Sequence, residues 1–100
     1  MAEVMDQKDI EQALAALPGW AYDDGKLVRS VPVETDAQDN LERAVMQVAD
    51  ELNHHPVIQR TDGELRLQVW THSAGGVTAK DVELAARIDQ TLSGPVQDSP

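Results

Sequence analysis

The chain of 100 residues contains no cysteine and no phenylalanine, and its only aromatic residues are Trp20, Tyr22 and Trp70. The lack of cysteine excludes disulfides, thiolate nucleophiles and cysteine-based zinc sites, and it fits the reducing cytoplasm. Because aromatic side chains are so few, aliphatic residues must form most of the core.

The chain also lacks a long apolar segment and an excess of positive charge. Residues 1–12 contain no basic region followed by an apolar run, so a signal peptide is not expected. No apolar stretch approaches the ~20 residues that span a bilayer. With 8 basic and 18 acidic residues, the formal net charge of −10 repels phosphate backbones and anionic lipids. We therefore expect a cytoplasmic protein that binds neither nucleic acid nor a membrane directly.

The spacing of the apolar residues predicts three helices and four strands in the order α-β-β-α-β-β-α. Two of the strand pairs are separated by short turns, which indicates two hairpins in a four-stranded antiparallel sheet. With helices covering one face of that sheet, the expected fold class is α+β, a two-layer sandwich. Residues 1–92 are expected to form one domain and residues 93–100 a flexible tail. The helices are predicted at residues 6–17, 36–53 and 79–92, and the strands at residues 20–22, 26–33, 57–61 and 64–72.

Three local patterns refine this prediction. Thr35 and Gln38 have the spacing of a capping box at the start of the second helix. Pro32 indicates that its strand lies at a sheet edge or ends there. In the fourth strand the apolar side chains of residues 65–69 face one way, so Trp70 is expected on the opposite, solvated or contact-making face.

All three histidines lie within residues 50–81. His54 and His55 stand at the predicted end of the second helix, and His72 stands at the predicted end of the fourth strand. Asp81 follows nine residues later, in the first turn of the third helix. If these element ends meet, three imidazoles and a carboxylate share one cleft. Such a set can donate a proton at one atom and remove one at another, as a dehydration requires.

The residues of this window resemble the signature of the pterin-4a-carbinolamine dehydratases, a family with the same order of helices and strands. The resemblance covers residues 6–92 and depends on the combination of its parts. The matching segments are Pro18-Gly19-Trp20, Asn53-His54-His55-Pro56, Thr71-His72, Gly75-Gly76-Val77-Thr78 and Asp81-Val82-Glu83-Leu84-Ala85.

The resemblance implies that the chain dehydrates 4a-hydroxytetrahydropterin to quinonoid dihydropterin, which recycles a pterin cofactor of aromatic amino acid hydroxylases. His54 and His72 would transfer the protons, and His55 would position the pterin. Asp81 and Asp50 would orient the imidazoles or hold them charged. No metal or organic cofactor would be required. The catalytic residues would be His54, His55, His72 and Asp81, and the substrate-binding residues would be Asp50, Trp70 and Thr71.

Two other interpretations use the same residues. Three histidines and a carboxylate can bind zinc, but no local His-x-x-x-His pair favours this. Related chains also act as protein partners, as a transcription cofactor or an assembly factor, and such a role without catalysis is the alternative function. The resemblance further implies a homodimer or homotetramer, for which an exposed edge strand is a plausible contact.

One residue departs from the family pattern. Asp62 stands where members usually carry an aromatic side chain, ten positions before His72. We expect this difference to change the packing or the wall beside the pterin site.

Overall fold

A computed structural model describes residues 3–93, with the Ser93 side chain outside the description. The predicted order α-β-β-α-β-β-α is confirmed. The predicted tail of residues 93–100 lies outside the described residues except for Ser93, whose backbone completes the last helix. The helices are α1 (Gln7–Ala15), α2 (Gln38–Leu52) and α3 (Ala79–Ser93), and the strands are β1 (Ala21–Asp23), β2 (Lys26–Pro32), β3 (Val57–Thr61) and β4 (Glu64–Val69).

The four strands form one antiparallel sheet in the order β1-β2-β4-β3. Each hairpin pairs strands that are neighbours in sequence, and β2 joins β4 at the centre, with Leu27 opposite Val69. The first hairpin turns through Asp24 and Gly25, both at positive φ (53° and 81°). This two-residue turn has the twist that the flanking strands require, so the turn predicted from the sequence is confirmed.

Pro32 is the last residue of β2, which lies inside the sheet. Of the two positions expected for this proline, the strand end is therefore the observed one. Proline has no N–H group and cannot donate to the hydrogen-bond ladder, so it is better tolerated at the end of a central strand than in its middle.

The core lies between one face of the sheet and the three helices. In β4, Leu65, Leu67 and Val69 are almost fully buried, as the alternation predicts. Burial of a side chain of this size typically contributes about 1.5–3 kcal/mol. The helices cover these strands with aliphatic side chains, and Trp20 is buried beside them. The core residues on the helix side of the sheet include Ile10, Leu17, Val45, Val48, Ala49, Leu84, Ala85 and Ile88.

The capping box predicted for Thr35 and Gln38 is wrong. A 3-10 turn covers Thr35–Ala37, and neither this turn nor α2 has a side-chain cap. The Gln38 side chain is buried, and its Nε2 lies 2.8 Å from the carbonyl oxygen of Thr61 and 3.2 Å from that of Val33. Its amide therefore binds the chain at the ends of both hairpins, a long-range use that overrides the local capping pattern.

The corner between α1 and β1 is fixed to α3 by a charged contact. Trp20 Nε1–H and the Arg29 guanidinium both donate to Oδ1 of Asp89, each at 2.8 Å. Arg29 projects from β2 on the face that the helices cover, so it reaches Asp89 across the layer. These contacts fix the orientation of α3, whose first turn belongs to the site described below. No helix within residues 3–93 is long and apolar enough to cross a membrane.

Candidate active site

The end of α2 brings the first two histidines to one end of the sheet. Asn53 adopts the left-handed conformation (φ 54°, ψ 41°), which asparagine tolerates better than most residues. The N–H groups of Asn53 and His54 donate to the carbonyls of Asp50 (3.2 Å) and Ala49 (3.0 Å). This pattern is a Schellman motif, which satisfies two terminal carbonyls of the helix. His54 and His55 therefore occupy the short link that leads into β3.

His54 contacts the buried carboxylate of Asp81, which comes from the first turn of α3. Its Nε2 atom lies 2.5 Å from Oδ1 of Asp81. The side chain of Asp81 is fully buried and that of His54 is 16% exposed. A carboxylate removed from water requires hydrogen-bond donors, and His54 supplies one of them.

Two threonines hold the second oxygen of Asp81. Oδ2 accepts hydrogen bonds from the Thr71 hydroxyl and from the Thr78 backbone N–H, both at 2.8 Å. Thr78 also caps α3, because its hydroxyl oxygen accepts from the Lys80 N–H at 3.2 Å. The bond from the Thr78 N–H to the Asp81 carboxylate is one half of a capping box, whereas the Thr78 hydroxyl accepts from the Lys80 N–H and not from that of Asp81. The same carboxylate therefore caps the start of α3 and contacts His54.

Thr71 has no polar group without a protein partner. Its side chain is 6% exposed, and its hydroxyl lies 2.7 Å from the Thr78 hydroxyl as well as 2.8 Å from Asp81. Its N–H donates to the Gly76 carbonyl at 2.9 Å, and its own carbonyl accepts from the Gly75 N–H at 2.9 Å. Thr71, expected from the sequence to contact the substrate, is observed holding Asp81 in place.

His55 forms a separate pair with Asp50 on the surface. Its Nε2 atom lies 2.7 Å from Oδ1 of Asp50. The side chains are 45% and 72% exposed, respectively. Asp50 belongs to the last turn of α2, so the helix end supplies both the aspartate and the link that carries the histidine.

His72 does not end a strand as predicted. β4 ends at Val69, and His72 begins a 3-10 turn, His72–Ala74, that Gly75 closes in the left-handed conformation (φ 79°). The ring of His72 is exposed and lies 6.0 Å from that of Trp70, centroid to centroid. Lys26 Nζ lies 4.7 Å from the Trp70 ring centroid on the sheet face opposite the helices, a geometry suited to cation–π attraction.

The structure therefore collects the predicted residues into three groups at one end of the sheet. His54, Thr71 and Asp81 share the buried network, His55 pairs with Asp50, and His72 lies beside Trp70. No hydrogen bond or ring contact among residues 3–93 joins the three imidazoles directly. The groups are connected through the backbone, since Thr71 directly precedes His72 and His54 directly precedes His55.

Two members of this site were not singled out from the sequence. Thr78 was named only as part of a segment that resembles the family signature, although its spacing from Asp81 is that of a capping box and could have indicated the shared carboxylate. Lys26 gave no signal, because its contact with Trp70 depends on the central pairing of β2 with β4.

Of the two effects expected for Asp62, a change in the wall beside the site is wrong for the site formed by this chain, and a change in packing stays a prediction. Asp62 is exposed in the turn between β3 and β4, beyond Thr61, whereas the histidines lie at the Val57 end. Four residues of strand separate these ends, about 14 Å at ~3.4 Å per residue. An aromatic side chain at position 62 is therefore not part of this wall.

The arrangement can hold a proton at a defined atom. Because Nε2 of His54 faces a carboxylate, a neutral imidazole places its hydrogen there and keeps a lone pair on Nδ1. His72 is open to solvent. Among residues 3–93, no group of three histidine, aspartate or glutamate side chains has the geometry to hold a metal ion.

Comparison with known proteins identifies the family of this chain. Residues 3–91 match the family model described as pterin 4 alpha carbinolamine dehydratase. A Streptomyces coelicolor protein, provisionally named a pterin-4-alpha-carbinolamine dehydratase, is 42% identical over 95 residues, which cover 93% of this chain and 94% of the relative. A Sulfolobus acidocaldarius protein with the same provisional name is 33% identical, over 86% of this chain and 96% of the relative. The chain belongs to the pterin-4a-carbinolamine dehydratase family.

A solved structure shares the fold. The crystal structure of a protein from Brucella melitensis, named transcriptional coactivator/pterin dehydratase, superposes with a TM-score of 0.82 at 24% identity. The match covers 89% of this chain and 98% of the other. The two-layer α+β architecture is therefore that of the solved structure.

Proposed function

We propose that this chain dehydrates 4a-hydroxytetrahydropterin to quinonoid dihydropterin by acid/base catalysis from His54 and His72. The observation that carries the proposal is the contact of His54 Nε2 with the buried Asp81 carboxylate, 2.5 Å away. Asp81 is itself fixed by Thr71, the residue before His72. Membership of the dehydratase family supports the choice of substrate.

In the proposed reaction, His54 is the base. Nδ1 of His54 takes the proton from N5 of the pterin, and the released electron pair forms the C4a=N5 double bond. The imidazolium formed on His54 is stabilised by the Asp81 carboxylate on its other side. Thr71 and Thr78 donate hydrogen bonds to the other oxygen of Asp81 and fix its carboxylate. The His54 ring therefore keeps its orientation through its bond to a fixed, buried acceptor.

His72 is the acid of the proposed reaction. As the C4a–O bond breaks, His72 gives its proton to the departing hydroxyl, which leaves as water. The pterin loses one hydrogen from N5 and the hydroxyl from C4a, so the products are quinonoid dihydropterin and one water. Exchange with solvent then returns a proton to His72 and removes one from His54. No metal or organic cofactor enters this scheme.

The remaining predicted residues bind the pterin in this proposal. His55, oriented by Asp50, and Trp70, beside His72, flank the proton-transfer groups. The Trp70 indole offers a flat apolar surface for a flat heterocycle. Thr71 contributes by holding Asp81.

A stopped-flow assay with chemically prepared 4a-hydroxytetrahydropterin tests the proposal. Each general acid or base typically contributes 10²–10⁴-fold, so His54→Ala and His72→Ala should each lower kcat by roughly 10²-fold or more. The double variant should approach the rate in buffer, while its circular dichroism and thermal unfolding stay those of a folded protein. Wild-type protein that is no faster than buffer would contradict the proposed function.

A second candidate is a role as a protein partner, with or without catalysis. The Brucella melitensis protein is named both a transcriptional coactivator and a pterin dehydratase. This double name supports a partner role as the second candidate beside the dehydratase. The two functions separate in a deletion strain supplied with the His54→Ala/His72→Ala variant. Recovery of the wild-type phenotype would favour a partner role, and failure to recover it would favour the dehydratase.

The proposal includes a homodimer or homotetramer in the cytoplasm. β1 and β3 are the edge strands of the sheet, and unpaired strand edges favour association with another chain. The lack of cysteine fits the reducing compartment. Light scattering after size exclusion should give a multiple of the 10.9 kDa chain mass; a monomer would contradict this part of the proposal.

A further inference from the structure

Residues 3–5, the N-terminal segment, lie against residues 71–77, the His72 turn. The N–H of Met5 donates to the carbonyl of Val77 at 2.8 Å. The Met5 side chain is partly buried and packs against the core, while Val4 is 51% exposed. The segment is thus attached to the turn both by its backbone and by its side chains.

Val4 packs directly on Gly76 of the His72 turn. A Cβ built on Gly76 would lie 3.1 Å from Cγ1 of Val4, closer than ordinary van der Waals contact, and 4.0 Å from Cβ of Val4. The φ of Gly76 lies outside the left-handed region, unlike that of Gly75. The space that Val4 occupies, and not the backbone conformation, is therefore what a side chain at position 76 would meet.

Hydrogen bonds within the His72 turn connect Gly76 to Thr71, the residue before the histidine. Thr71 and Gly76 pair across the turn, with the Thr71 N–H donating to the Gly76 carbonyl at 2.9 Å. The Gly75 N–H donates to the His72 carbonyl at 3.1 Å. The turn is thus closed by its own hydrogen bonds, which tie Gly75 and Gly76 to Thr71 and His72.

We infer that Val4 and Met5 are positioning residues of the site, acting through Gly76 and Val77 on the orientation of His72. The inference rests on the proposed function for its kinetic consequence, although the structural coupling can be measured without turnover. Both residues lie outside the histidine window and touch no catalytic side chain in the described contacts. Their effect is therefore on where His72 points.

A double-mutant cycle between positions 4 and 76 tests the inference. In Gly76→Ala the new methyl pushes Val4 away, and in Val4→Ala the contact is lost. In the double variant the two Cβ atoms would lie 4.0 Å apart, an ordinary contact, so packing is restored.

The kinetic arm compares kcat with KM. Small misplacements of a reacting group can cost up to about 10²-fold, so we expect Gly76→Ala to lower kcat roughly tenfold with KM nearly unchanged. Val4→Ala should lower kcat about threefold, on the same argument. The Gly76→Ala/Val4→Ala variant should recover to within about twofold of wild type, whereas independent effects would multiply.

The structural arm needs no pterin. The ring signals of His72, assigned with a His72→Gln variant, and the exchange rate of the Thr71 amide hydrogen should both respond. We expect that exchange to be about tenfold faster in Gly76→Ala and close to wild type in the double variant, as for local opening. A Val33→Ala variant, at the opposite end of the sheet, is the control and should leave both readings unchanged.

The two arms separate failure of this inference from failure of the proposed function. Wild-type protein without dehydratase activity, but with coupled His72 signals in the cycle, would contradict the function and support the positioning role. His72 signals and Thr71 exchange that are unchanged in both folded single variants would overturn the positioning role. Additive effects without recovery in the double variant would overturn it as well.

Discussion

Two adjacent histidines each contact an aspartate, but only one of the pairs is buried. His54 lies 2.5 Å from Asp81, and His55 lies 2.7 Å from Asp50. The distances are similar, whereas the aspartate side chains are fully buried and 72% exposed, respectively. Burial, and not the length of the contact, distinguishes the two pairs.

The difference has an energetic consequence. An exposed ion pair is screened by water and salt and typically contributes about 0–1 kcal/mol. Removing one partner of a buried pair leaves the other without compensation, which typically costs about 3–5 kcal/mol. Neighbouring positions in the sequence can therefore contribute very differently to a proposed mechanism.

Asp81→Asn should break the buried pair and have the largest effect. One carboxylate oxygen becomes an amide NH₂, which must face either His54 or the donors from Thr71 and Thr78, and it can accept from neither. Stopped-flow turnover should fall roughly 10²–10⁴-fold. Unchanged turnover in folded protein would mean that the buried carboxylate does not serve the proton transfer.

Thr71→Val should weaken the His54–Asp81 pair indirectly, through Asp81. The substitution keeps the side-chain shape and removes the hydroxyl that donates to Asp81. Denaturant unfolding should show a loss of about 1–3 kcal/mol, because a buried acceptor loses one donor. The matched control is Thr61→Val, which removes an exposed hydroxyl bond at the far turn and should cost less than the Thr71 variant.

Asp50→Asn tests the exposed pair and should have a small effect. An exposed pair contributes about 1 kcal/mol or less. The turnover rate and the unfolding equilibrium constant should therefore each change by about fivefold or less. Titration of the assay with salt sharpens the result, since the small effect should shrink further as ionic strength rises. A loss as large as that of Asp81→Asn would contradict the contrast between the pairs.

Lys26→Met should have a similarly small effect, at the Trp70 ring beside His72, the histidine that has no aspartate partner. The substitution removes the cation beside Trp70 and keeps the chain length. Because such contacts contribute about 0.5–1 kcal/mol at exposed sites, kcat/KM should fall by about two- to fivefold. Trp70 fluorescence should change as well. Lys8→Met, an exposed lysine on α1, is the control and should change neither.

Much of the fold follows from short-range patterns in the sequence. The alternation of residues 65–69 and the helical spacing in α2 each repeat over several turns or pleats, so the buried faces were predicted correctly. The turn at Asp24-Gly25 and the helix end at Asn53 also depend on local chemistry. Local signals of this kind are sufficient for the order of the elements.

Pairings across the sheet could not be predicted in the same way. The sequence indicated that aspartates orient histidines, but the choice of Asp81 for His54 depends on where α3 meets the end of α2. The spacing of Gln38 predicted a capping box, but its side chain instead donates hydrogen bonds to both hairpins. Asp62 is ten positions from His72 in sequence, yet β3 and β4 place it at the other end of the sheet.

The central ladder of the sheet also bears on how the chain folds. Each hairpin can form from neighbouring residues, but β2 and β4 pair across the whole of α2 and β3. Closing so long a loop is slow compared with forming a hairpin. Lys26 meets Trp70 only after that closure, so a chain with both hairpins formed and the ladder open still has an incomplete site. Assembly of the two halves, rather than formation of either, should therefore set the time at which a newly made chain completes the candidate site.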